Sequence, residues 1–422
     1  MSSDAVTSRR AALAAAVVLG TAACADATHS PSRAELVWIT GGIIAADQDP
    51  AQDIAKRWNE LHPTGPRVRV ETLPRTADEQ RRVLTLELNA GLRNFDIFDL
   101  DAEWTPEFAQ HGWLVDLQDL RPDIEQASLP GPLRTAVWKG RLWAAPYSTD
   151  AGILYYRSDL VGKPPTTWEE LIDVGRRVGE RQGIAPFVAD GKQYEGLVLQ
   201  YLEYFWGLGG EVFGQDGQSV RFQHDPAVQA ATFMRTAFLE GGYAPGFDTM
   251  DLEAARQTFQ SGDAVFMRSW AYAYQQMNGG DTDSLVVGKV GIAPLPAFTG
   301  HRSIAALGNH HLAVSPFSRD IPAATEFVKF VSTSRDVQLG LARQHSRPPT
   351  LKVAYHELAA DPMVTLLAKV LPTAKPRPAT PEWATISAEM QQQIFAAYTG
   401  DRDPEVAVDA VRSFLHATVT GS

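Results

Sequence analysis

Apolar residues recur with two periods along this chain, and the points where the period changes mark its elements. Leu36-Val37-Trp38-Ile39-Thr40 is a short apolar run, the pattern of a buried strand. Ala51, Ile54, Ala55, Trp58 and Leu61 then fall on one face at helical spacing, so a helix follows. Val68 and Val70 return to the strand period. Leu84, Leu88 and Leu92 resume the helical one, and Phe95 to Leu100 is again a strand. This strand–helix alternation with short connections predicts a parallel sheet covered by helices.

Farther along, Val137 to Trp143 reads as a hairpin over Lys139-Gly140. Thr167-Trp168-Glu169-Glu170 is a capping box opening a helix whose inner face carries Trp168, Leu171, Ile172 and Val178. Further helices are predicted at 193–206, 226–240, 251–260, 321–333, 383–398 and 403–417, and strands at 184–189, 263–268, 286–292 and 304–314. The proline-rich stretch Pro372 to Pro381 must be an extended loop.

The first residues follow neither rhythm. Arg9-Arg10 precede a charge-free run, Ala11 to Ala23, well short of the roughly 20 residues a membrane span needs. It has the dimensions of an export signal. The only cysteine, Cys24, closes it in Thr21-Ala22-Ala23-Cys24, which resembles a bacterial lipobox with Thr21 in place of the commoner leucine. Cleavage there leaves Cys24 as a lipidated first residue, and the polar segment to about residue 34 serves as a tether. The expected location is the outer face of the cytoplasmic membrane.

Charge narrows the partners. Thirty-eight basic against 50 acidic residues give a formal charge of −12, the wrong sign for a nucleic-acid binder. With one cysteine, neither an intramolecular disulfide nor a thiolate metal cage can form. No Gly-x-Ser-x-Gly elbow, His-Glu-x-x-His, P-loop or EF-hand loop is present. Gly207-Leu208-Gly209-Gly210 lacks the third dinucleotide-binding glycine and reads as a helix end. His310-His311 would point to opposite faces of a strand, so the pair does not suit one metal ion. Asp99, Asp101 and Glu103 fall on one side at the carboxyl end of a strand, where open α/β sheets place ligands. Two such acids could also serve a secreted glycoside hydrolase, although sequence does not fix their separation.

Several segments in order resemble the extracytoplasmic sugar-binding proteins of ABC importers, the maltose- and trehalose-binding group. They are Leu73-Pro74-Arg75-Thr76 with Glu79-Gln80, Phe95 to Asp101, Trp104 to Phe108, Gly112-Trp113-Leu114, Ala145 to Asp150, Leu154 to Leu160, Pro165 to Leu171 and Phe259 to Ala264. Asp101, Trp270 and Arg377-Pro378-Ala379-Thr380-Pro381 are most similar to the trehalose-type lipoproteins of actinobacteria.

The resemblance implies a two-lobed periplasmic-binding-protein fold, each lobe a mostly parallel sheet flanked by helices, joined by crossover hinge strands. Lobe 1 would comprise 35–147 and 297–345, and lobe 2 would comprise 148–296 and 346–422, after a signal (1–23) and a tether (24–34). It implies a monomeric, non-enzymatic protein without cofactor or metal. Such a protein closes on a neutral disaccharide and delivers it to permease subunits driven by a cytoplasmic ATPase. Trehalose is the first expected sugar and maltose-type sugars the second.

A neutral sugar needs acceptors for its hydroxyls and aromatic rings for its C–H faces. The resemblance assigns these roles to Asp101, Asp150 (often an amide in relatives), Glu195, Trp270 as stacking platform, and Arg377 as a bidentate hold on hydroxyls. Glu79 is counted among the contacts. Gly308-Asn309 and Gly42 allow close backbone approach. Leu252 stands where the family has an acid, so neither neighbouring Asp251 nor Glu253 is assigned.

Overall fold

The computed structural model describes residues 35–41, 49–214, 217, 219–279 and 283–420. Arg9-Arg10, the apolar run, Cys24 and Gly42 lie outside the described residues. The strands are β1 (Glu35–Thr40), β2 (Arg67–Thr72), β3 (Ile97–Asp101), β4 (Val137–Trp138), β5 (Arg141–Leu142) and β6 (Ala145–Ala151). They continue with β7 (Ile153–Arg157), β8 (Ala185–Val188), β9 (Ala264–Ser269), β10 (Val290–Pro294) and β11 (Leu307–Val314).

Two principal sheets result. One has the order β2-β1-β3-β11-β6, the other β10-β7-β9-β8. In the first, β1 runs parallel to β2 and β3, as the helical connections require, whereas β11 is antiparallel to both β3 and β6. In the second, only β8 and β9 are parallel. The sheets are therefore mixed rather than mostly parallel. The reason is local: β6 and β7 are almost one strand, passing from the first sheet to the second across the single residue Gly152. The return from β10 to β11 carries no helix either, so these strands have no crossover to turn them parallel.

The first sheet is covered on both faces because successive strand residues alternate sides. Leu36 and Trp38 pack with Ile54 and Trp58 of the helix Pro50–Leu61 and with Phe327 and Val331 of the helix Ile321–Thr333. Val37, Phe98 and Leu100 face the other way, onto Leu84 and Leu88 of the helix Ala77–Asn89 and onto Trp104, Phe108 and Trp113. The second sheet shares a larger core with the helices Trp168–Gln182, Glu195–Gly207, His224–Leu239, Trp383–Thr399 and Pro404–Thr420. Thr167 caps the first of these, its hydroxyl accepting from Glu170 N at 3.1 Å. Glu195–Gly207 is buried at every residue, so Glu195, Gln200 and Glu203 must find partners inside the protein. Among the described residues no helix is long and apolar enough to cross a membrane.

Candidate functional site

The carboxyl end of β3, the two crossovers and the end of β9 converge on a cleft of about 1170 Å³, counted out to open solvent. Asp101 and His310, paired across β3 and β11, line it from the first sheet, with Thr76 and Gln80. Asp150 and Gly308 line it from the crossover strands, and Glu195, Trp270 and Tyr272 from the second sheet's side. Arg377 enters from the proline-rich loop. Across the cleft, Asp78 Oδ2 of the helix Ala77–Asn89 accepts from the backbone N of Glu195 at 3.1 Å.

Trp270 follows directly on β9 and is half-buried. Tyr155 Oη donates to its carbonyl at 2.7 Å, and the Arg268 guanidinium lies over its ring, 4.2 Å from the centroid. Gly308 is needed for this placement: a Cβ there would come within 2.7 Å of the indole Cζ3. The close approach that Gly308 permits is thus one to Trp270. Next to the ring, the Asp150 carboxylate accepts from Ala271 N at 3.0 Å and Ala151 N at 2.8 Å, tying β6 to the residue after Trp270. Burial pushes the Asp150 carboxyl up to about 7, against the pull of those two amides.

Arg377 organises the acidic side of the cleft. Its Nη2 donates to Asp101 Oδ1 at 2.7 Å, and its Nη1 to Glu103 Oε1 at 2.6 Å and Glu195 Oε1 at 3.1 Å. Arg377, expected to grip ligand hydroxyls, lines the cleft with its guanidinium already engaged by three carboxylates of its own chain. Glu195 also accepts from Trp383 Nε1 at 3.1 Å and from the Ser387 hydroxyl. Three buried acids around one cation cannot all ionise cheaply. Burial lifts Glu103 well above the usual carboxylate range, while for Asp101 the burial penalty is outweighed by Arg377, which holds it at about 2. The two neighbouring carboxyls are thus pushed in opposite directions, Asp101 down by the guanidinium and Glu103 up by burial. Burial raises Glu195 as well, against Arg377.

Two expected contacts lie elsewhere. Asn309 is buried outside the cleft lining: its Oδ1 accepts from Thr149 Oγ1 at 2.6 Å and its Nδ2 donates to Thr135 Oγ1 at 2.9 Å. Its neighbours in β11 face the cleft, and strand alternation turns Asn309 away. Glu79 is exposed and turned back to the helix cap, accepting from Thr76 Oγ1 at 2.8 Å, so Thr76 and Gln80 are the residues of that motif that reach the cleft. Asp99 is buried beneath the site, accepting from Trp38 Nε1 at 3.2 Å and Gly41 N at 3.3 Å.

The cleft also holds residues that sequence reasoning missed. Arg347, half-buried after the helix Arg335–His345, has no carboxylate within ion-pairing distance among the described residues, although Asp49, Asp99 and Asp150 act on it from farther off. It follows a short helix and carries no motif. His310 faces the cleft, and burial lowers its pKa to about 4, so the ring is neutral there. His311 is buried against Thr135 Oγ1 at 2.9 Å. Asp251, Leu252 and Glu253 all reach the lining, and Glu253 accepts from Tyr272 Oη at 2.5 Å. Spacing could have flagged this acid–tyrosine pair only if β9 had first been placed beside the helix Leu252–Gln260.

Known proteins share this architecture. The family of bacterial extracellular solute-binding proteins matches residues 44–338. A probable ABC transporter-binding protein of Deinococcus radiodurans is 32% identical over 404 residues, covering 91% of this chain and 94% of its own. The diacetylchitobiose-binding protein DasA of Streptomyces coelicolor is 26% identical over 306 residues, 69% of this chain and 68% of its own. Among solved structures, maltose-bound MalE3 of T. maritima superposes with a TM-score of 0.85 at 32% identity, covering 91% of this chain and all of its own. By fold and by sequence, the chain belongs to the bacterial extracellular solute-binding protein family, whose members bind a solute.

Proposed function

We propose that this protein is the receptor of an ABC sugar importer and captures an α-linked glucose disaccharide, trehalose first and maltose-type sugars second. The carrying observation is a half-buried indole, Trp270, in one cleft with the ionised Asp101 and the backbone-tied Asp150. An indole suits the C–H face of a pyranose, and ionised acceptors make the stronger hydrogen bonds to hydroxyls. Gln80, His310 and Arg347 add neutral and cationic donors along the same walls. The maltose bound by the similar MalE3 supports a glucose disaccharide. The family and relatives named above bind solutes, so a glycoside hydrolase finds no support among them.

Contacts from both sheets favour a closed arrangement once sugar is bound, so the ligand shifts a hinge equilibrium by its differential affinity. The closed protein is then read by permease subunits coupled to a cytoplasmic ATPase. The run Ala11 to Ala23 followed by Cys24 supports export and lipid anchoring at the outer face of the cytoplasmic membrane.

Isothermal titration calorimetry against trehalose, maltose, maltotriose, glucose and mannitol tests the reading. The expected outcome is saturable heat with trehalose, then maltose, and a loss of more than about 2 kcal/mol of binding free energy in Trp270→Ala. Absence of heat with every mono- and disaccharide overturns it.

A further inference from the structure

Beneath Trp270 lies a buried ion pair that no ligand can touch. Arg268 and Glu203 are fully buried. Arg268 stands two positions before Trp270, hence on the same side of the strand. Its Nε donates to Glu203 Oε2 at 2.9 Å and its Nη2 to Glu203 Oε1 at 2.6 Å, while Asp190 Oδ2 is 3.6 Å from Nη1. This bidentate pairing fixes the guanidinium, whose Cζ lies over the indole 4.2 Å from its centroid.

The same pair meets both crossovers. Glu203 Oε1 accepts from Ala306 N, just before β11, at 3.0 Å, and the Ala306 carbonyl accepts from Gly152 N at 3.1 Å. At Gly152 any side chain would strike the Glu203 carboxylate and come within 2.8 Å of Arg268 Nη2. Each strand transfer between the sheets therefore touches the ion pair that floors the aromatic platform.

A buried pair of this kind is rarely better for stability than apolar residues of equal volume. What a flexible apolar pair does not supply is a flat, oriented floor. We propose that Glu203–Arg268 is a positioning unit: it sets the plane of Trp270 and locks that plane to the crossover strands, so that ring and hinge move together. This rests on Trp270 being the ligand platform, and the two ideas are separable by experiment.

The test compares wild type with Glu203→Leu/Arg268→Met, which replaces the pair with apolar side chains, and with Arg268→Lys, which keeps the charge but not the planar fork. Protein carrying fluorotryptophan gives a Trp270 fluorine signal, assigned by its loss in Trp270→Phe. Trehalose and maltose affinities come from calorimetry, and folding from thermal unfolding. The expected result is a folded double variant with a shifted, broadened Trp270 signal and affinity weakened about tenfold or more. Arg268→Lys moves both readouts in the same direction, and decides the matter should the double variant not fold. A Trp270 signal unchanged in the folded variants overturns the proposal, as does sugar affinity within about twofold of wild type. If wild type binds neither sugar, the sugar reading falls, and the fluorine signal alone still decides the positioning claim.

Discussion

Arg377 concentrates the residue-scale argument. One guanidinium, itself almost wholly buried, holds Asp101, Glu103 and Glu195 together. Removing one partner from a buried ionic cluster leaves uncompensated charge, so Arg377→Ala should cost about 3–5 kcal/mol of unfolding free energy in urea titration. A loss below about 1 kcal/mol would place the cluster among weak, solvent-screened pairs instead. That Arg377, Asp101 and Trp270 belong to one place could be read from residue type and motif. How Arg377 is used could not, because its partners lie far off in sequence, Glu103 by 274 residues. Asn309 and Arg347 show the same limit. The amide partners Thr135, 174 residues away, and the arginine follows a short helix with no signature of its own.

At the scale of elements, Asp150 ties β6 to the segment after β9, and its titration reports on that tie. Its folded value of about 7 lies above the ordinary carboxyl value, so protonation favours the folded state. The stabilisation is full below about pH 4 and is lost as pH rises through about 7. Unfolding free energies of wild type and Asp150→Asn should therefore diverge with pH: as pH rises from about 4 to about 7 wild type loses stability relative to the variant, then levels off. A difference that stays constant across that range contradicts the burial of this carboxyl.

The elements legible beforehand were those with a long apolar stripe or a cap. β1, β2, β3 and their helices stand at the expected places, as do the Thr167-capped helix and the pair Trp383–Thr399 and Pro404–Thr420. The short helices Thr105–Gln110, Arg121–Ala127 and Pro130–Ala136 were not seen, having too few turns to show a period. Arg335–His345 was missed for another reason: Ser334 both ends the preceding helix and caps the next, with no loop between them. Strand direction in the second sheet was invisible because it depends on the one-residue passage at Gly152, which has no sequence period.

For the whole molecule, two mixed sheets joined by crossover strands put residues from distant parts of the chain on one cleft, and the order of the motifs already pointed to the family. The central claim is that this cleft takes a glucose disaccharide on its indole and acids. A crystal structure grown with saturating trehalose tests it most directly. The account predicts a glucose ring over the Trp270 indole with hydroxyls on Asp101 and Asp150. Sugar bound away from these three residues, or a cleft that stays empty of it, would contradict the account.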